Sequence, residues 1–193
     1  MKIALCGPPQ SGKSVLRERL KSALLALDPS FYPYVITANP DGEGSWYQQA
    51  VHTDPDAAQA AKTLAKQKWT DAHADKYASD VRNVTLPLTF IDLGGRVDEK
   101  NHRICALATH AILIAPSIEA FGEWRDFATT CGLTILAELI SDYHGAQDVI
   151  ESSGPPLRAS VHHLQRGEIA EPRPTITALA QLILDSLRVE LQR

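Results

Sequence analysis

The chain has 193 residues, 44% of them hydrophobic and 22% charged, with a formal net charge of −4. This is enough for one α/β domain, residues 1–193, with a sizeable core. The acidic balance argues against bulk nucleic-acid binding and leaves only a local basic patch open; no apolar run approaches the ~20 residues of a membrane span.

In chain order, the first predicted element is the apolar run 2–6, read as a strand. Gly7-Pro8-Pro9-Gln10-Ser11-Gly12-Lys13-Ser14 follows, a G-x-x-x-x-G-K-S pattern that marks a phosphate-binding loop. Glycines at its fixed positions let the backbone turn its N–H groups inward, and the next helix adds its positive N-terminus. Lys13 is expected to reach the β- and γ-phosphates as a mainly solvent-facing charge, and Ser14 to ligate Mg²⁺. Pro8, Pro9, Gln10, Ser11 and Val15 complete the expected nucleotide contacts. Val15, Leu16, Leu20, Ala23, Leu24 and Leu27 fall at helical spacing, and Asp28-Pro29 stops that helix.

Residues 34–38 read as the second strand, followed by the loop Asn39-Pro40-Asp41-Gly42-Glu43-Gly44. Thr53-Asp54-Pro55 starts a helix with Ala57, Ala61, Leu64, Ala65 and Trp69 on one face, and a further helix is predicted over 71–82. Strands follow at 86–92, 111–115, 134–139 and 158–164. A short helix is predicted over 101–109, and another capped by Ser117, with Glu119 in its first turn, ending at Gly132. Pro172 and Pro174 introduce the last helix. The stretch 152–156 reads as a loop. Alternating strands and helices predict a mainly parallel sheet with helices on both faces, a three-layer α/β arrangement whose ligands bind at the carboxyl ends of the strands.

Asp92 ends the third strand, where a carboxylate would hold Mg²⁺ through water. Asp92-Leu93-Gly94-Gly95-Arg96 resembles the D-x-x-G switch of GTPases, in which a glycine N–H, here that of Gly95, senses the γ-phosphate. Arg96 stands where those proteins place the water-positioning glutamine, and its planar fork suits a phosphate. No glutamate follows Asp92 directly, which points toward the kinase–GTPase arrangement, with the third strand beside the first. Of the guanine-reading N-K-x-D signature only Asp142 remains in Ile140-Ser141-Asp142-Tyr143-His144, so ATP is expected rather than GTP; Gln165-Arg166-Gly167 is the other candidate for covering the base.

Asp41 and Glu43 are candidate general bases, within plausible reach of the γ-phosphate. Trp46 is either a binding platform or a core residue. Lys62, Lys66 and Lys68 read as a solvated helix face, and Arg96, Lys100, His102 and Arg103 form a second basic group. His162 and His163, placed on one strand, would point to opposite faces and make no metal pair. Cys6, Cys105 and Cys131 have no C-x-x-C spacing and read as reduced, buried thiols. With no signal peptide expected at Met1, they suggest a cytoplasmic protein.

The loop 7–14, Asn-Pro-Asp-Gly-Glu-Gly-Ser-Trp, Ile-Asp-Leu-Gly-Gly-Arg, Ala-Thr-His-Ala-Ile-Leu and Ser-Asp-Tyr-His-Gly together resemble the AAA-like P-loop ATPase domain that accompanies ring-nuclease domains of type III CRISPR systems. The resemblance implies ATP binding and an accessory role in cyclic-oligoadenylate signalling. The expected partners are a ring-nuclease domain or other CRISPR component and a further copy of the chain. Ring-nuclease activity is not expected here, since its domain has no room before Met1. Two alternatives stand beside an ATPase: a small-molecule kinase using Asp41 or Glu43 as base, and a nucleotide-dependent interaction module with little turnover.

Overall fold

The computed structural model describes residues 1–38, 69–165 and 172–192. The described elements run β1 (Lys2–Cys6), α1 (Lys13–Leu27), β2 (Tyr34–Ala38), α2 (Asp71–Asn83), β3 (Thr89–Leu93), α3 (Glu99–Cys105), β4 (His110–Ala115), α4 (Phe121–Thr130), β5 (Thr134–Asp142), β6 (Val149–Ser152), β7 (Leu157–His162) and α5 (Pro174–Leu191). The seven strands form one sheet in the order β2-β3-β1-β4-β5-β7-β6. All neighbours are parallel except β6 and β7. The molecule is therefore α/β with a mostly parallel sheet.

The strand sequences are nearly all apolar because helices cover both faces. Side chains alternate between the two sides. Ile3 and Leu5 of β1, Phe90 of β3, and Ile112 and Ile114 of β4 enter a core with Leu16, Leu20 and Leu24 of α1 and Leu179, Ile183 and Leu187 of α5. Ala4 and Cys6, Ile91, and Leu113 enter the opposite core with Ala78 and Val81 of α2, Ile104 of α3, and Trp124 and Phe127 of α4. Each fully buried leucine or isoleucine contributes about 1.5–3 kcal/mol. Parallel β1, β3 and β4 bring Cys6, Leu93 and Ala115 to one edge, so the segments after them meet there.

Several boundaries differ from expectation. The third strand starts at Thr89 rather than at 86, because Pro87 precedes it and the paired register with β1 begins at Lys2 and Thr89. The helix expected over 101–109 is α3, which starts at Glu99 because the Asp98 side chain accepts the Asn101 N–H at 2.8 Å. Ser117 caps nothing: α4 begins at Phe121 after Ala120, and the Ser117 hydroxyl bonds Glu119 instead, holding that carboxyl below its ordinary value. Gly132, at φ 71°, follows the Cys131 C-cap as expected. The fifth strand extends to Asp142, and β7 ends at His162 rather than at 164.

Strand β6 was not anticipated. Its four residues are exposed, and it pairs antiparallel with β7 across the turn that contains Ser153 to Pro156. An edge strand exposed on both faces carries no apolar alternation, so periodicity cannot mark it. Among the described residues no helix is long and apolar enough to cross a membrane. The loop 39–44 with Asp41 and Glu43, Trp46, the helix expected after Thr53, and Lys62, Lys66 and Lys68 lie outside the described residues, as do Arg166 and Gly167.

Candidate functional site

The loop 7–14 joins the end of β1 to the start of α1. Gly7 has φ 156°, and a Cβ there would stand 2.0 Å from the Ile114 carbonyl oxygen, so only glycine lets the loop pass so close to β4. Gly12 is the N-cap of α1 in the left-handed conformation; the helix start has no side-chain cap and no acidic residue in its first turn. Such a helix start presents N–H groups and the positive end of the helix dipole, which suit an anion.

Lys13 does not face solvent as expected. It is 8% exposed. Its Nζ turns back into the loop, donating to the Gly7 carbonyl at 2.7 Å and the Pro8 carbonyl at 2.9 Å. An ammonium has three donors, and two of the loop's carbonyls accept from this one. Ser11 is buried with its hydroxyl unpartnered among the described residues, close to Gly7.

Asp92, near the end of β3, is fully buried. Its Oδ2 accepts the Ser14 hydroxyl at 3.0 Å and Nη1 of Arg17 at 2.8 Å. A serine hydroxyl has one proton and two lone pairs. The Ser14 proton lies toward Asp92, and its oxygen is of the kind that ligates a hard cation. Arg17, 7% exposed, was missed in the sequence reading. Three positions beyond Ser14 it shares that face of α1, and this spacing was the available signal. Its guanidinium also donates to Thr37 at 3.4 Å and to Glu18 at 2.9 Å.

The segment after β3 closes against the loop. A Cβ at Gly95 would lie 2.5 Å from the Pro9 nitrogen. Asn101, also missed, holds that segment: its amide donates to the carbonyls of Gly94 at 3.2 Å and Arg96 at 2.7 Å. Arg96 itself is exposed, and its guanidinium has no hydrogen bond or ion pair among the described residues. The basic group expected around it is dispersed: Arg103 pairs with Asp75 at 2.6 Å, and the His102 ring meets Phe127 edge-on at 5.7 Å.

On the other side, Leu164 and Ser141 abut Gly12. Beside them the Tyr143 ring lies 5.0 Å from His163 and 5.3 Å from His144. Asp142 accepts the His144 N–H at 3.1 Å. His163 leaves the strand at φ 44°, so His162 and His163 are not strand neighbours on opposite faces; the His162 Nδ1 meets Asp148 at 2.6 Å. Among the described residues no group of three or more His, Cys, Asp or Glu side chains forms a metal cage. The three thiols form no disulfide; Cys6 and Cys105 are buried and Cys131 half-buried. The neighbouring Cys105 thiol, together with burial, pushes Cys131 up.

No protein-family model matches the chain, and no curated protein matches it.

Proposed function

We propose that the chain is a P-loop NTPase of the kinase–GTPase-like arrangement that binds ATP with Mg²⁺ and hydrolyses it. The observation that carries this reading is the contact of Ser14 with Asp92 at 3.0 Å, between residues 78 positions apart. It brings the two sequence-selected metal residues together beside Lys13 and an uncapped helix start. A hydroxyl and a carboxylate are hard oxygen donors, and a site with few protein ligands suits Mg²⁺, which keeps waters and takes the rest of its shell from phosphates. The close glycine turn and the helix N-terminus suit a polyphosphate. Bound there, Mg²⁺·ATP supplies a transferable γ-phosphoryl group with part of its charge neutralised.

The chain's own groups then have distinct tasks. Lys13 exchanges its carbonyl contacts for phosphate oxygens. Ser14 and Asp92, in contact at 3.0 Å, would hold the metal. Gly95 lies against Pro9, so its segment can register what occupies the loop. Arg96 is exposed on that segment and suits a γ-phosphate or second-substrate phosphate. Tyr143 and His144, exposed near Gly12, are rings on which a base could stack, which supports a nucleoside ligand. Asp41 or Glu43 would act as base, on an attacking water or, in the kinase alternative, on an acceptor hydroxyl. The accessory role beside a type III CRISPR ring nuclease is supported by the sequence motifs.

Calorimetric titration of ATP and Mg²⁺ into wild type and Lys13→Ala tests the reading. Wild type is expected to bind and Lys13→Ala to lose binding while keeping its circular dichroism spectrum, through loss of a charge-assisted contact. Equal ATP affinity in the two proteins would refute it.

A further inference from the structure

Arg17 places a buried positive charge against the carboxylate that the metal site needs. Arg17 and Asp92 are 7% and 0% exposed, and the guanidinium meets the carboxylate at 2.8 Å on the same oxygen that accepts the Ser14 hydroxyl. The arrangement is built by three elements. Ser14 and Arg17 share a face of α1, while Thr37 of β2 and Asp92 of β3 are register partners. The guanidinium lies between those strand ends, and Glu18 holds its remaining edge at 2.9 Å.

We propose that Arg17 is a positioning residue that keeps Asp92 charge-paired, so that the site takes up Mg²⁺ with a nucleotide and resists free Mg²⁺. This rests on the nucleotide-site reading above. A buried carboxylate without a cation attracts any divalent ion; a guanidinium within hydrogen-bond distance removes most of that attraction at an effective dielectric of about 20. A metal ion must then compete with Arg17 for Asp92. The phosphates of a nucleotide add the negative charge that tips the competition. A planar guanidinium held at once by Asp92, Thr37 and Glu18 also fixes the direction of the carboxylate, which a flexible lysine does less well. Through Thr37 the same side chain touches β2, the strand that leads toward Asp41 and Glu43.

The test is thermal unfolding against MgCl₂ without nucleotide, in wild type, Arg17→Met, Arg17→Lys and the double variant Arg17→Met/Asp92→Asn. Methionine keeps the packed stem and removes the charge. Wild type should respond little to Mg²⁺ alone. Arg17→Met should gain a clear rise in melting temperature, with half-saturation at an Mg²⁺ concentration at least about tenfold lower, as expected for loss of one adjacent unit charge. Arg17→Lys should return toward wild type, and Asp92→Asn should abolish the gain. If Arg17→Met does not fold, Arg17→Gln takes its place, with Mn²⁺ binding read by electron paramagnetic resonance. Identical metal responses in wild type and the uncharged variant would overturn the proposal, as would a gain that survives Asp92→Asn. A wild type that fails to bind ATP would instead sink the nucleotide reading, while the comparison in Mg²⁺ alone still decides whether Arg17 guards Asp92.

Discussion

Asp92 has no exposed surface and receives both a hydroxyl and a guanidinium on one oxygen. Two demands meet in that side chain: it completes a buried ion pair, and it is the acid proposed to hold Mg²⁺. They separate by experiment. Asp92→Asn keeps the shape and an acceptor oxygen but loses the charge, so ATP affinity should fall by tenfold or more in Mg²⁺ and change little in EDTA. Calorimetry in the two buffers measures this, and equal losses would mean that Asp92 serves only the fold. The variant should also be less stable, because Arg17 loses its buried carboxylate, though with Glu18 still beside it the cost stays below the about 3–5 kcal/mol of a fully unpaired buried charge. Arg17 escaped the sequence reading for a simple reason. Arginines on the outer faces of amphipathic helices are common, and only the position of β3 against α1 makes this one internal.

At the scale of elements, Glu138 clamps β5 to its neighbours. It interrupts an apolar strand, is 6% exposed, and receives Arg125 of α4 at 2.5 and 2.9 Å and Arg158 of β7 at 3.2 Å. The Arg125 hydrogen bonds, and then Arg158, hold its carboxyl below the ordinary value of 4.5 in spite of burial. A folded-state value below the unfolded one contributes stability that is fully present above the unfolded value. That contribution is lost as pH falls through the folded value. The melting temperature should therefore drop as the solution is acidified below 4.5. In Arg125→Ala the deficit against wild type should be largest near neutrality and shrink on the acid side, since a protonated Glu138 no longer needs its partner. A deficit independent of pH would assign Arg125 to packing alone. The same scale explains α3. Asp98 starts that helix, and its third residue, Asn101, ties down the carbonyls of Gly94 and Arg96, so a short helix fixes the segment that faces Pro9.

Over the whole molecule, two cores on opposite faces of one sheet support the edge where β1, β3 and β4 end. The 7–14 loop grows out of that edge and lies against the backbone of Ile114 at Gly7 and of Gly95 at Pro9. A ligand that fills it binds the folded chain and not the unfolded one. At a free concentration about a hundred times its dissociation constant, Mg²⁺·ATP should add about 2.7 kcal/mol of stability. For a chain of this size that is a rise of roughly 5–10 °C in melting temperature. Scanning calorimetry with ATP, GTP and no nucleotide measures it, and a larger shift with ATP than with GTP at equal concentration is expected from the missing guanine signature. No shift with either nucleotide would remove the loop from consideration as a ligand site.

Local chemistry was enough to mark much of this in the sequence. Spacing of apolar residues located α1, β2 and α5; Asp28-Pro29 and Pro174 marked ends of α1 and α5 because proline and capping preferences act within a few residues. The glycines at 7 and 12 and the carboxylate at 92 were legible for the same reason: each is required by its own turn or strand end. The tertiary structure decided what depends on residues far apart in sequence. Lys13 turned inward because the loop presents carbonyls around it, Arg17 became internal because β3 crosses behind α1, and Asn101 became a brace because α3 packs under the turn after β3. Edge strand β6 has no inward face and so no periodic signature; only its pairing with β7 defines it. Charge and hydrogen-bond partners are set by proximity in space, and sequence pattern fixes proximity only within a helix turn or a strand repeat.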